Sequence, residues 1–114
     1  MEQGTQAQGE VANAVCPHFH CAIELIGKRW TGAIVVALTE RPMRYAELGK
    51  AVPGLSDRLL SQRLRELEEE GLVERQVEAG TPVRVTYSLT VVGQELDPVL
   101  SELKSWARRW KNAS

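Results

Sequence analysis

The chain contains no long apolar run: nothing in its 114 residues approaches the ~20 that a membrane-spanning helix needs. Cysteine is scarce, and the two present, Cys16 and Cys21, are too few for the disulfide framework of a small secreted domain and suit a reducing compartment. Residues 1–14, MEQGTQAQGEVANA, have neither the basic nor the apolar region of a signal peptide and read as a flexible polar tail. A soluble, cytoplasmic protein with no membrane partner is therefore expected. Histidine is limited to His18 and His20, beside the cysteines. Nowhere are a nucleophile, a base and an orienting acid spaced together, and there is no glycine-rich phosphate loop, so neither an enzyme nor a bound cofactor is expected. Internal repeats are absent too.

What remains is the composition of one globular domain, 43% hydrophobic and 25% charged, expected to span residues 15–114. The net charge of −1 conceals a segregated distribution. Residues 28–65 carry eight Lys or Arg against Glu40, Glu47 and Asp57, whereas residues 66–102 carry nine acidic residues against Arg75 and Arg84. A basic middle points to a polyanion partner, although the pI near 6.1 is not that of a strongly basic nucleic-acid binder.

Pro17 can open a helix that Gly27 stops. Thr31 is a plausible cap for "GAIVVALTE", too uniformly apolar to face water and so expected to be buried before Pro42. "MRYAELGKAV" spaces Tyr45, Leu48 and Val52 as a short third helix, and "PGL" turns the chain. Ser56 caps a fourth helix that closes at Gly71, with Leu60, Leu64 and Leu67 on one face and Arg58, Ser61, Gln62 and Arg65 opposite. "LVERQVE" and "VRVTYSL" flank the turn "AGTP" as a two-stranded hairpin with one wet face. After Thr90 the awkward Gly93 and Pro98 predict a short helix, a kink near Asp97-Pro98 and a longer helix to about Lys111.

The fold class is therefore mainly α with a small β-hairpin, and a short helix, a tight turn and a capped helix followed by a hairpin make a winged helix-turn-helix. A helix fits the major groove, and Arg, Gln and Ser are side chains that read base edges. Arg58, Ser61, Gln62 and Arg65 are the candidate base contacts. Arg44, Lys50, Ser56 and Asp57 are placed for phosphates or flanking bases. Arg84, near the hairpin tip, is the candidate wing contact with the minor groove or backbone, and Arg75 is weaker because it alternates with Val73 and Val77. The acidic run after Arg65 would repel phosphate, so that end of the helix should point away from the duplex. A winged helix that uses the same face to bind an acidic protein surface is the alternative.

"CPHFHCAIELIGKRW", "MRYAELGKAVPGLSDRLLSQRLRELEEEGLVER" and "VTYSLTVVG" resemble the HxlR-type winged-helix transcriptional regulators, relatives of the MarR group, over about residues 15–111. The resemblance implies a bacterial or archaeal homodimer on a near-palindromic double-stranded operator. It also implies, as in some members, sensing of electrophiles or oxidants through the cysteine before proline, here Cys16. Two departures stand out: Lys28-Arg29-Trp30 where the family has Gly-Lys-Trp, and Thr86 where it has Glu.

Dimerisation has support of its own in the apolar stripe Leu96, Val99, Leu100, Leu103, Trp106 and Trp110, more than so small a domain covers easily. A twofold dimer through the last helix and the first would place two recognition helices about 34 Å apart, one turn of DNA. The cluster Cys16, His18, His20 and Cys21 leaves three readings open. Zinc is disfavoured, because four ligands on one short helix cannot all converge on one ion. A reactive Cys16 thiolate fits an N-cap position, where free amides favour negative charge. Or Cys16 is only a cap, and Cys21 only a small apolar residue.

Overall fold

Pro17 sits in the first turn of helix α1 (Pro17–Ile26), where its missing N–H interrupts no intrahelical bond, and Gly27 caps the other end. The computed structural model describes residues 16–113, so the expected tail of residues 1–14 lies outside the described residues. The chain continues through α2 (Thr31–Glu40), β1 (Met43–Arg44), α3 (Tyr45–Ala51), α4 (Asp57–Glu69), β2 (Val73–Glu78), β3 (Arg84–Leu89), α5 (Val91–Gln94) and α6 (Leu96–Ala113). It is the expected mainly helical architecture with a small antiparallel sheet. Among the described residues no helix is long and apolar enough to cross a membrane.

The core lies where one face of α4 meets α2. Leu60, Leu64 and Leu67 follow each other at helical spacing and are 1% exposed or less. They join Ile34, Val35 and Leu38 of α2, Leu48 of α3, and Met43, Val73 and Leu89 of the sheet. α2 is not buried all round, as its composition predicts: Ala33 is exposed, and Val36 and Ala37 are half-buried along a cleft of about 750 Å³ shared with Leu100 and Leu103 of α6. Nor is Thr31 its cap. Trp30 holds that position and Thr31, the first residue of α2, is buried.

The sheet has three strands rather than two. β1, expected as the start of the third helix, pairs antiparallel with β3 through Met43↔Tyr87 and Arg44↔Thr86, giving the order β1-β3-β2. A two-residue strand carries too little alternation to be read from sequence. The hairpin register runs from Val73↔Leu89 to Glu78↔Arg84. Its wet face is wider than expected, since Val77 and Val83 are exposed, while Thr86 and Ser88 are half-buried beside β1.

The break expected near Asp97-Pro98 falls earlier, at Glu95. Pro98 lies in the first turn of α6, where the backbone needs no N–H. Gly93 has a packing reason. A Cβ there would stand 2.1 Å from the Leu72 carbonyl oxygen, which accepts the Thr90 N–H at 3.0 Å. Thr90 Oγ1 also donates to the Gly71 carbonyl at 2.6 Å and accepts the Gly93 N–H at 3.1 Å. The base of the hairpin and the start of α5 are thus joined backbone to backbone. Gly93→Ala must push them apart and is expected to destabilise the fold by about 2–3 kcal/mol in urea unfolding, well beyond the gain an alanine brings in an open helix.

Candidate nucleic-acid interface

The turn between α3 and α4 passes through Gly54, whose φ of 92° is one that side chains rarely adopt. Ser56 then caps α4 as expected, its Oγ accepting the Leu59 N–H at 3.2 Å. Tyr45, the first residue of α3, spans the motif. Its hydroxyl donates to the Asp57 carbonyl at 2.5 Å and lies 2.9 Å from Ser61 Oγ. One phenol therefore ties the two helices together near the start of α4.

Burying Leu60, Leu64 and Leu67 turns the opposite face of α4 outward. Arg58, Gln62 and Arg65 are exposed, and Arg58 and Arg65 carry no ion pair or hydrogen bond among the described residues. Gln62 donates weakly to Glu66, at 3.4 Å. Ser61 departs from the expectation: it is half-buried and engaged by Tyr45, because its position on the wheel lies toward α3 rather than away from the core. Asp57 is exposed in the first turn, Lys50 is exposed in the last turn of α3, and Arg44 is exposed on β1 directly before Tyr45. Arg44 is thus a strand residue and the N-cap of α3, not part of the helix.

Arg84 is exposed at the outer end of the hairpin, opposite Glu78. Arg75 is exposed rather than inward-facing, and its Nε lies 4.0 Å from Glu68. The acidic second half of α4 is in part internally matched. Glu66 accepts two bonds from Arg63 at 3.1 and 3.2 Å and lies 3.5 Å from Lys28. Burial works against its charged form, but the bond from Gln62 and the charges of Arg63 and Lys28 outweigh it and hold the carboxyl below the usual glutamate range. Arg63, unlike Arg58 and Arg65, is half-buried. Its partner, the Arg29 carbonyl at 3.1 Å, is 34 positions away.

On α1, Cys16 is the N-cap and is half-buried, but its side chain makes no capping hydrogen bond; Sγ lies 3.8 Å from His18 Nδ1. His20 faces Glu24 at 3.4 Å, and Cys21 is exposed. Among the described residues no three His, Cys, Asp or Glu side chains are grouped to hold a metal ion. The apolar stripe of α6 divides. Leu100 is buried in the chain's own core and Leu96 packs against it, so these two do not form a free surface. Val99, Leu103, Trp106 and Trp110 are exposed, the two indoles stacked with centroids 5.2 Å apart. Phe19 and Ile23 of α1 are exposed as well. Trp30 is half-buried, with the Arg29 guanidinium 5.3 Å from its ring.

Residues 25–114 match the family described as HxlR-like helix-turn-helix. The chain is 46% identical over 100 residues to the HTH-type transcriptional regulator YvaP of Bacillus subtilis (strain 168), covering 88% of this chain and 93% of that one. It is 42% identical over 97 residues to the HTH-type transcriptional regulator YodB of the same strain, covering 85% and 87%. The structure of reduced YodB superposes with a TM-score of 0.80 over 87% of this chain and 97% of that one, at 40% identity. Quinone-bound YodB gives 0.73 at 39% identity, over 82% of this chain and 98% of that one.

Proposed function

This chain belongs to the HxlR-like helix-turn-helix family and is a DNA-binding transcriptional regulator, and on that premise we propose that it works as a homodimer on a near-palindromic operator. α4 enters the major groove, and the wing of residues 73–89 meets the minor groove or the backbone. The observation that carries this reading is the pair Arg58 and Arg65, exposed and unmatched on a helix whose other face is sealed in the core. With Gln62 they are the base-reading side chains. Arg44, Lys50, Ser56 and Asp57 contact phosphates or flanking bases, and Arg84 serves the wing. Ser61, held by Tyr45, sets the register of α4 rather than reading bases. Residues 15–114 act as one unit, in the cytoplasm.

The dimer forms through Val99, Leu103, Trp106 and Trp110 of α6 with Phe19 and Ile23 of α1, which otherwise leave a large apolar area in water. Cys16 is the sensor. The free amides of the first turn favour its thiolate, and the sulfur is not spent on a cap bond, its polar neighbour being His18 Nδ1 at 3.8 Å. The effector is an electrophile or oxidant, in keeping with the quinone-bound form of the similar YodB. The Cys16 sulfur would add to a quinone ring carbon, its S–H proton and the displaced ring electron pair ending on the ring, which becomes an S-linked hydroquinone. Diamide would instead take two hydrogens from Cys16 and its counterpart in the second chain as a disulfide forms. Either product shifts α1 and with it the spacing of the recognition helices.

Three measurements test this. Operator binding by the wild type should fall steeply with salt, and Arg58→Ala or Arg65→Ala should weaken it about ten-fold or more; a shallow salt dependence would favour an acidic protein partner instead. Light scattering should give a dimer at micromolar concentration, and Trp106→Lys with Leu103→Lys a monomer. Diamide or a quinone should release DNA from the wild type and from Cys21→Ser but not from Cys16→Ser. Equal release from Cys16→Ser would leave a regulator without cysteine sensing.

A further inference from the structure

The junction between α1 and α2 meets the helix-turn-helix at two separate places. At the first, the Trp30 ring lies beside Gly54, where an added Cβ would stand 3.5 Å from Trp30 Cη2, so the turn before α4 rests against it. Trp30 itself has φ 76°, a left-handed conformation that a bulky residue keeps only where its surroundings hold it. At the second, the Arg29 carbonyl accepts from Arg63 Nε at 3.1 Å, and Lys28 Nζ approaches Glu66 Oε1 at 3.5 Å. Arg63 in turn donates to both oxygens of Glu66.

This network differs from an ordinary surface ion pair. The side chains of Arg63 and Glu66 are only 14% and 22% exposed. The planar guanidinium serves a backbone carbonyl and a carboxylate together, which fixes direction as well as distance. α1 buries no residue fully and meets the core only through Leu25 and Ile26 at its C-terminal end, so packing alone fixes its angle to the body loosely. Glu66 directly follows Arg65 on the recognition helix, where an unengaged carboxylate would offset the arginine's charge. Its position is explained if it works toward the protein rather than toward the DNA.

We infer that Lys28, Arg63 and Glu66 are positioning residues for DNA binding, a polar strut that fixes the angle of α4 against the α1–α2 junction. The inference rests on the docking of α4 proposed above. Charge and position predict opposite outcomes, which makes the strut testable. Glu66→Gln removes a negative charge from the recognition helix and releases two cations, so charge alone tightens DNA binding. The strut requires the reverse, an affinity lower by about five- to ten-fold. Glu66→Asp keeps the charge, shortens the reach, and should weaken binding in the same direction.

The experiment measures affinity for a duplex that the wild-type protein selects from a random pool, across a range of salt, with circular dichroism confirming that each variant is folded at the assay temperature. Weaker binding by both variants with an unchanged salt dependence supports the strut, since no phosphate contact is lost. Tighter or unaltered binding by Glu66→Gln overturns it, and so does a loss accompanied by a shallower salt dependence. Arg58→Ala is measured alongside. If it leaves affinity unaltered, the docking of α4 fails and takes the inference with it; if Arg58→Ala weakens binding and the Glu66 variants do not, only the strut fails.

Discussion

Leu60, Leu64 and Leu67 hold α4 against α2, and every outward-facing group of that helix takes its direction from them. Burying three leucines contributes on the order of 5–9 kcal/mol before conformational entropy is counted, comparable to the whole net stability of a small domain. A helix rotated by a third of a turn would lose that burial and turn its arginines into the core. The polar face therefore needs no rigidity of its own. Ser56 and Tyr45 act on smaller scales, one ending the turn and the other locking α3 to α4.

The elements legible in the sequence were those whose signal is local. α4 announces both ends through Ser56 and Gly71, its faces follow from the leucine spacing, and the hairpin follows from the alternation of residues 83–89. What escaped depends on distant partners. β1 is a strand only because Tyr87 and Thr86 lie beside it, and position 93 needs a glycine only because the Leu72 carbonyl lies under it. Leu100 belongs to the stripe of α6 by periodicity, yet α2 claims it for the core. Within the candidate interface the residue types were readable, but their assignments were less so. Ser61 and Arg63 sit among exposed polar neighbours in sequence, and each is committed to a partner elsewhere, at Tyr45 and Arg29.

Charge is arranged rather than merely accumulated. Glu66 is matched by Arg63 and Lys28, Glu68 by Arg75 and Glu47 by Arg41, while Arg58 and Arg65 form no ion pair among the described residues. A near-neutral chain can thus leave cations unmatched on one helix face, because some of its carboxylates are engaged by other basic side chains. The backbone N–H of Arg44, with the charge of Arg41, holds the Glu47 carboxyl below the usual glutamate range. This local balance persists over the neutral pH range and fades only as acid protonates the carboxylates.

The bonds from Thr90 to Leu72 and Gly71, with Gly93 closing behind them, also have a mechanical meaning. They clamp the root of the hairpin, where Val73 and Leu89 enter the core. The far end, from Glu78 to Arg84, is exposed throughout. The wing is therefore a cantilever, stiff at its anchorage and compliant at its free end. Under the proposed wing contact, such a beam would let Arg84 follow variations in groove width by bending near its tip, without transmitting that deformation to the root.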